Sequence, residues 1–478
     1  MGRTTLVAGV ATFAAHWVVV LVALAQGYGW HRDEFYYFQC GQHLALGYVD
    51  HPLLAPLLAR GVQEVFGADL VVLRLIAGLC HAVVVGCACQ LARDMNGGVW
   101  AERIAGLAVF GAPVLLGATS MFGATALDLA MWALLWLCAV RLRREATLKL
   151  WVFTGLVLGL GLLSKVSIVL FAVSLCLASV LTDSRPVLRG RGPMLAVGLV
   201  VLFAAPFVVW QATHGFPFQE FSESVRQGTR DEGVGSFLVG QLGMGPMALL
   251  LLALATWAFW KRTMPKEDRF VLVTCLIGFV LAILAGGKPY YVAALYLGPI
   301  AIGARVLERR WSAGRALEAV FAGCAGAGLC VGAPVLPPLT YKELGLSDLN
   351  DVPAEMLGWD ELVSAVDAAS KEHSVADVWA LNYGVAGAVQ LKGEPGTRIW
   401  CAHNSYWFWS PPPTPLERVL FVAHRSSFLQ ARFRSVRLLR RVSNRHGVPN
   451  EESGVGIFLC EHPTGPTATL WSDLRSFN

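Results

Sequence analysis

Trp30-His31-Arg32-Asp33-Glu34-Phe35-Tyr36-Tyr37, continuing to Gly47-Tyr48-Val49-Asp50-His51-Pro52, decides the reading of this sequence. It follows directly on the first long apolar run, which ends near residue 25. Guanidinium, carboxylate, imidazole and phenol groups are therefore expected at one surface of a membrane. Ionisable groups beside a bilayer are costly to keep and mark a function by default.

The rest of the chain explains why a membrane is meant. Of 478 residues, 55% are hydrophobic and 15% charged, with a mean hydropathy of +0.55. Soluble domains carry about a quarter charged residues. Apolar runs cover approximately 6–26, 70–92, 99–118, 121–140, 150–163, 166–182, 194–213, 237–260, 270–285, 290–306 and 317–335. At about 20 residues per crossing these make about eleven transmembrane helices. Ala23-Leu24-Ala25 looks like a signal cleavage site, but the run before it is longer than a signal core of about 7–15 residues, so an uncleaved helix is expected. The short runs around Lys165 and Lys288 read as broken or tilted helices lining a cavity.

Lys and Arg set the orientation. With the N-terminus in the cytoplasm, the loops on its side hold 18 basic residues, and the other side up to residue 335 holds 6: Arg32, Arg60, Arg74, Arg226, Arg230 and Lys288. The predicted location is a bacterial inner membrane, with the first outer loop (27–69), the 214–236 loop and the C-terminal part all extracytoplasmic. The net charge of +5 is accounted for by this topology, and nothing calls for a nucleic-acid partner.

In the first outer loop, Asp33 is placed to cap a helix from Glu34 to about Leu46, and Asp50 a second helix whose Leu53, Leu54, Leu57, Leu58, Val62, Val65 and Phe66 form an apolar side. Both are expected to lie in the membrane interface. The transmembrane domain is predicted to span 1–336. Beyond it, 337–478 alternates short strands with helical patterns and reads as a small α/β domain. There Asn382 and Tyr383 fall at a strand's C-terminal end, where open α/β sheets bind ligands. The sequence has 11 cysteines, in no metal or redox spacing. Cys401 and Cys460 lie in the polar C-terminal part, where an oxidising compartment would permit a bond between them.

Each chemical motif has a plainer alternative. Asp33 can take a proton from an attacking hydroxyl, or it can be a helix cap worth about 1 kcal/mol. Glu34 beside it would orient or support. Asp50-His51 offers a second acid and an imidazole, or a capped turn; were a divalent metal bound, Asp33, Asp50 and His51 would be its ligands. Lys165, or Lys288 with Tyr290 and Tyr291, would meet a phosphate oxyanion, or the lysine would snorkel. Arg32 is a weaker candidate of the same kind, and Arg74 reads as a snorkelling side chain. Gln211 and His214 sit in an aromatic exit from a span that suits sugar hydroxyls or an interfacial belt. Asn404, in the His403-to-Trp409 stretch, has the same two readings. No phosphate-cradling glycine loop, zinc spacing or serine elbow occurs, so a nucleotide-sugar mechanism has no support.

Taken in order, these pieces resemble a known family. Asp33-Glu34, Gly47 to Pro52, Gly159 to Lys165, Trp210 to Phe218, Gly287 to Tyr291, Gly358-Trp359-Asp360-Glu361-Leu362-Val363, Asn382-Tyr383-Gly384 and His403 to Trp407 are similar to the bacterial branch of the dolichyl-phosphate-mannose protein mannosyltransferases, glycosyltransferase family 39. Aminoarabinose transferases acting on lipid A are relatives. The chain departs from the family pattern at Pro52-Leu53, where two prolines are usual, and at Lys165-Val166, where a tyrosine usually follows the lysine. The resemblance implies a C-type glycosyltransferase fold. It implies a polyprenyl-phosphate sugar donor, inverting transfer outside the cytoplasm, and Asp33 at the reaction centre. The acceptor would be a glycolipid, protein, cell-wall polymer or peptide natural product. The rival reading is a transporter or flippase of lipid-linked sugars, against which stand the lack of repeat symmetry and the sizeable outer domain.

Overall fold

The computed structural model describes residues 2–182, 184–311, 314–409, 411–412 and 416–478. Helix α1 (Arg3–Ala25) leads into α2 (Arg32–Gln42) and α3 (Leu54–Phe66) of the first loop. The membrane part continues through α4 (Leu70–Asp94), α5 (Val99–Phe110), α6 (Pro113–Thr119), α7 (Ala124–Arg144), α8 (Leu148–Ser164), α9 (Ile168–Leu181) and α10 (Arg191–Thr213). It closes with α11 (Pro217–Gly240), α12 (Gly245–Trp260), α13 (Arg269–Ala285), α14 (Leu297–Arg310) and α15 (Gly314–Gly332).

Every apolar run read from the sequence is helical, but the number of crossings is not a matter of counting runs. Among the described residues, 8 helices are long and apolar enough to span, or up to 9 if α5 and α6, bent by 62°, make one broken span. The bend falls before Pro113, whose ring disfavours helix in the preceding residue. Helices α8 and α9 are apolar but shorter. Helices α4 and α7 sit centrally, whereas α10 and α15 turn most of their apolar surface outward, as lipid-facing helices must.

Helices alternate direction, so charged groups collect at two ends. One end holds Asp94 with Arg141 (2.8 Å), and Arg305 with Asp268 (2.7 Å). There the Glu308 carboxylate also accepts hydrogen bonds from the Gly98, Trp100 and Ala101 amides at the start of α5. The other end carries α2 and α3.

The loop after α1 corrects the sequence reading in four ways. The cap of α2 is His31, not Asp33: His31 Nδ1 accepts from the Asp33 amide at 3.1 Å, and Glu34 Oε2 accepts from the His31 amide at 2.8 Å. The helix ends at Gln42, well before Leu46. Asp50 caps nothing, because α3 starts only at Leu54. Nor does α2 lie flat in an interface: eight of its eleven residues are buried. Only α3, with Leu57, Val65 and Phe66 exposed opposite buried Ala55, Ala59 and Val62, fits that expectation.

The C-terminal part adds α16 (Pro338–Glu343), α17 (Trp359–His373) and α18 (Tyr383–Lys392). Its strands are β1 (Asp377–Ala380), β2 (Arg398–Trp400), β3 (Arg418–Ala423), β4 (Phe433–Val442) and β5 (Val455–Pro463). They form one sheet in the order β2-β1-β3-β5-β4, with β1 parallel to both neighbours and β5 antiparallel to β3 and β4. The chain leaves β1 for β2 on one side and returns to β3 on the other. The carboxyl end of β1, where α18 begins, is therefore the sheet's topological switch point. Cys401 and Cys460 are free and buried. Cys401 follows edge strand β2, and Cys460 lies on β5, three strands away; at about 4.8 Å per strand the gap exceeds what a disulfide bridges.

Candidate active site

The helical part and the sheet meet where α18 packs across α2. Gly384 and Gly387 make this possible. A Cβ on Gly387 would lie 2.7 Å from Phe35 Cβ, and one on Gly384 3.0 Å from Arg32 Cβ. With α18 this close, the Tyr383 hydroxyl donates to Asp33 Oδ1 at 2.8 Å. The Tyr383 ring stacks on Tyr36 at 4.5 Å and on His403 at 4.8 Å, and Arg32 lies over it at 5.2 Å. Burial lowers the His403 pKa to about 4, so the ring is neutral; Nδ1 accepts from the Tyr383 amide and Nε2 donates to Asn478 Oδ1.

Two carboxyls face this spot from opposite electrostatic sides. Burial pushes the Asp33 carboxyl up, but His31, Arg32, the Tyr383 hydroxyl and Lys288 together hold it below the ordinary range. It is therefore ionised at neutral pH. Burial also pushes up Asp50, and here His51 and the Tyr36 hydroxyl, which donates to Asp50 Oδ1 at 2.8 Å, do not offset it. Adjacent acids with values driven apart are suited to different tasks.

Lys165 closes the site from the membrane side. It ends α8, its ammonium donates to Thr125 Oγ1 at 3.1 Å, and it sits 4.2 Å from the Tyr291 ring and 5.3 Å from that of Tyr290. Lys288 precedes the 3-10 turn that carries both tyrosines. Each lysine is near enough to act electrostatically on Asp33 or on the other.

Several candidates lie elsewhere or are already engaged. Glu34 is fully buried: Oε1 accepts from Arg74 Nε (3.0 Å) and the Phe122 amide (2.9 Å), and Oε2 from Arg74 Nη2 (2.9 Å) and the His31 amide. No lone pair is left for catalysis, and Arg74 is its counter-ion rather than a snorkelling side chain. His51 is buried among tyrosines, with Nδ1 on the Pro52 carbonyl. Gln211 bonds the Tyr48 carbonyl and the Phe218 amide, pinning the end of α10 to the first loop. His214 stacks on Trp210 at 4.2 Å on the exposed surface. Asn382 caps α18 by accepting from the Val385 amide, and Asn404 clasps the backbone of Asn478. Arg32 pairs with Glu451 of the β4–β5 loop. Among the described residues no three His, Cys, Asp or Glu side chains group as metal ligands, so Asp33, Asp50 and His51 do not form a metal site.

The sequence reading passed over two features. Asp128, on α7, accepts from Trp132 Nε1 (3.0 Å) and Ser167 Oγ (2.5 Å) and lies one turn from Thr125, the partner of Lys165. A lone carboxylate inside an apolar run was the available signal. Glu355 and Glu452, both buried beside Arg32, gave no signal, because they are 97 residues apart and meet only through folding.

The comparisons with known proteins bear on the fold that carries this arrangement. The profile of the family described as dolichyl-phosphate-mannose-protein mannosyltransferase matches residues 50–210. No curated protein matches the sequence significantly. The fold is similar to that of ArnT from Cupriavidus metallidurans in the apo state, with a TM-score of 0.60 over 98% of each chain at 13% identity. The fold expected from the ordered motifs is therefore borne out: this chain is a multi-pass helical membrane protein with the fold of ArnT and a small C-terminal sheet domain, and it resembles the mannosyltransferase family over residues 50–210.

Proposed function

We propose that the protein transfers a sugar, with inversion, from a polyprenyl phosphate to an acceptor hydroxyl on the extracytoplasmic side of a bacterial inner membrane. The observation that carries this reading is the ionised Asp33 carboxylate. It is held by the Tyr383 hydroxyl at 2.8 Å, beside Arg32 and within electrostatic reach of Lys288.

The chemistry follows from charge. The acceptor oxygen forms a bond to the anomeric carbon from the face opposite the phosphate. The carbon–oxygen bond to phosphate breaks, its electron pair stays on the leaving group, and the acceptor proton passes to Asp33. Negative charge grows on the phosphate in the transition state, where Lys165 and Lys288 stabilise it. A low carboxylate pKa makes Asp33 a weak base for a free alcohol. It suffices here because the hydroxyl becomes acidic only as its bond to carbon forms. Tyr383 orients the carboxylate, and the partly exposed rings of Tyr290 and Tyr291 offer faces to a sugar. The donor's isoprenoid tail would lie between helices, in contact with the bilayer. We place the domain boundary at 336/337, so that the sheet domain supplies Tyr383 from one side.

The test is the Asp33→Asn variant, reconstituted with labelled polyprenyl-phosphate sugars and a panel of glycolipid, peptide and polymer acceptors. Glycoside should form with the unaltered protein and vanish with the variant, whose thermal unfolding should stay unchanged. Full transfer by the variant removes Asp33 from the mechanism. Lipid movement without a new glycosidic bond would instead mark a transporter.

A further inference from the structure

A cavity of 510 Å³ lies between α1, α4, α7 and α8, at the end of the bundle away from Asp33. Its walls come from the first half of α1, the second halves of α4 and α7, and the start of α8. Along α1 its centre, near Gly9, is roughly 24 Å from the helix end that leads to Asp33 at 1.5 Å per residue. It has no part in the site described above.

The lining is apolar except at one end, where Thr5, Gln90 and Arg141 gather. Gln90 Oε1 already accepts from the Gly2 amide and the Thr5 hydroxyl. Arg141 is different. Its Nε donates to Asp94 at 2.8 Å, while the side chain remains 42% exposed, which leaves its terminal nitrogens accessible beside the cavity. The adjoining α7–α8 turn adds exposed Arg144 and Lys149 against the single carboxylate of Glu145. On the hydrocarbon side the rim is made by exposed Leu6, Val10, Leu79 and Phe153. An apolar slot open to the bilayer, with an arginine fork at its polar end, has the shape and charge of a lipid site.

We propose that this cavity binds an anionic phospholipid of the leaflet facing the chain's N-terminus, with one acyl chain in the slot and the phosphate on Arg141. Charge complementarity selects an anionic headgroup. The sugar donor is the wrong occupant, since its phosphate must stand at the opposite end to react.

Native mass spectrometry on the full chain, taken from vesicles of equal phosphatidylglycerol and phosphatidylcholine, tests this. Phosphatidylglycerol should be retained about fivefold over phosphatidylcholine, the gain expected per basic group near a membrane surface. Arg141→Gln should bring that ratio close to one. Val10→Trp, which fills the slot from its exposed rim, should remove bound lipid of both kinds; Leu79→Trp does the same from α4 should the first variant fail to fold. Equal retention of the two lipids overturns the proposal. So does retention unchanged by both tryptophans, or displacement of the lipid by polyprenyl phosphate.

Discussion

Replacing Glu34 by Gln tests the support beneath the first loop. The carboxylate has no exposed surface, and its two oxygens accept four hydrogen bonds, two from Arg74 and one each from the His31 and Phe122 amides. Gln keeps Oε1 and its two donors. At Oε2 it presents an NH2 to two further donors, the His31 amide and Arg74 Nη2. The Arg74 guanidinium, itself fully buried, then loses its counter-charge. Breaking one side of a buried pair costs about 3–5 kcal/mol, chiefly by stranding the other charge. Glu34→Gln should therefore lower the unfolding temperature markedly and free the start of α2. Glu34→Leu combined with Arg74→Leu should recover much of the loss, because no buried charge remains. Thermal unfolding in detergent, run as a double-mutant cycle, measures the coupling. A single variant as stable as the unaltered protein, or a double variant no better than either single, would refute this account.

Three further outcomes follow from the same geometry. Tyr383→Phe removes a hydrogen bond that favours ionised Asp33, so the acid limb of kcat/KM against pH should move to higher pH; an unmoved limb would separate Asp33 from the titration. Burial pushes the carboxyls of Glu355 and Glu452 up, above what Arg32 offsets. The native chain thus holds protons that the unfolded chain releases. Stability from this pair is complete below the ordinary glutamate range and is lost as pH rises through the raised values. Glu452→Gln should flatten that decline in a series of melts, and an unchanged slope would dismiss the pair as its source. Lys165→Ala should lower kcat/KM for the donor ten- to a hundredfold, the worth of a charged hydrogen bond of about 1.5–3 kcal/mol; a kcat/KM within twofold of the original would place the phosphate elsewhere.

The membrane helices were legible because hydrocarbon imposes one rule on every span, and all five strands fell in the part read as alternating short strands and helical patterns. The caps were not. Asp33 and Asp50 both have the right residue type before a helix, yet His31 took the first position because Glu34 completes a reciprocal pair with it. Asp50 was drawn off by Tyr36. Roles at the site were lost in the same way. Gln211, Asn382 and Asn404 are polar residues in functional-looking settings, and each turned out to satisfy backbone groups that local sequence cannot reveal. Conversely, the partnership of Asp33 with Tyr383 spans 350 residues, and only the packing of α18 on α2 creates it.

That span has a consequence for biosynthesis. At about 5–20 residues per second, roughly 20–70 s separate the emergence of the carboxylate from that of the phenol that holds it. The membrane helices from α4 to α15 are made within this interval, and the face of α2 that α18 covers stays bare until its end. The surroundings of Asp33 are thus completed only when the last third of the chain has folded against the helices, and a chain stalled before α18 lacks the hydroxyl that holds the carboxylate.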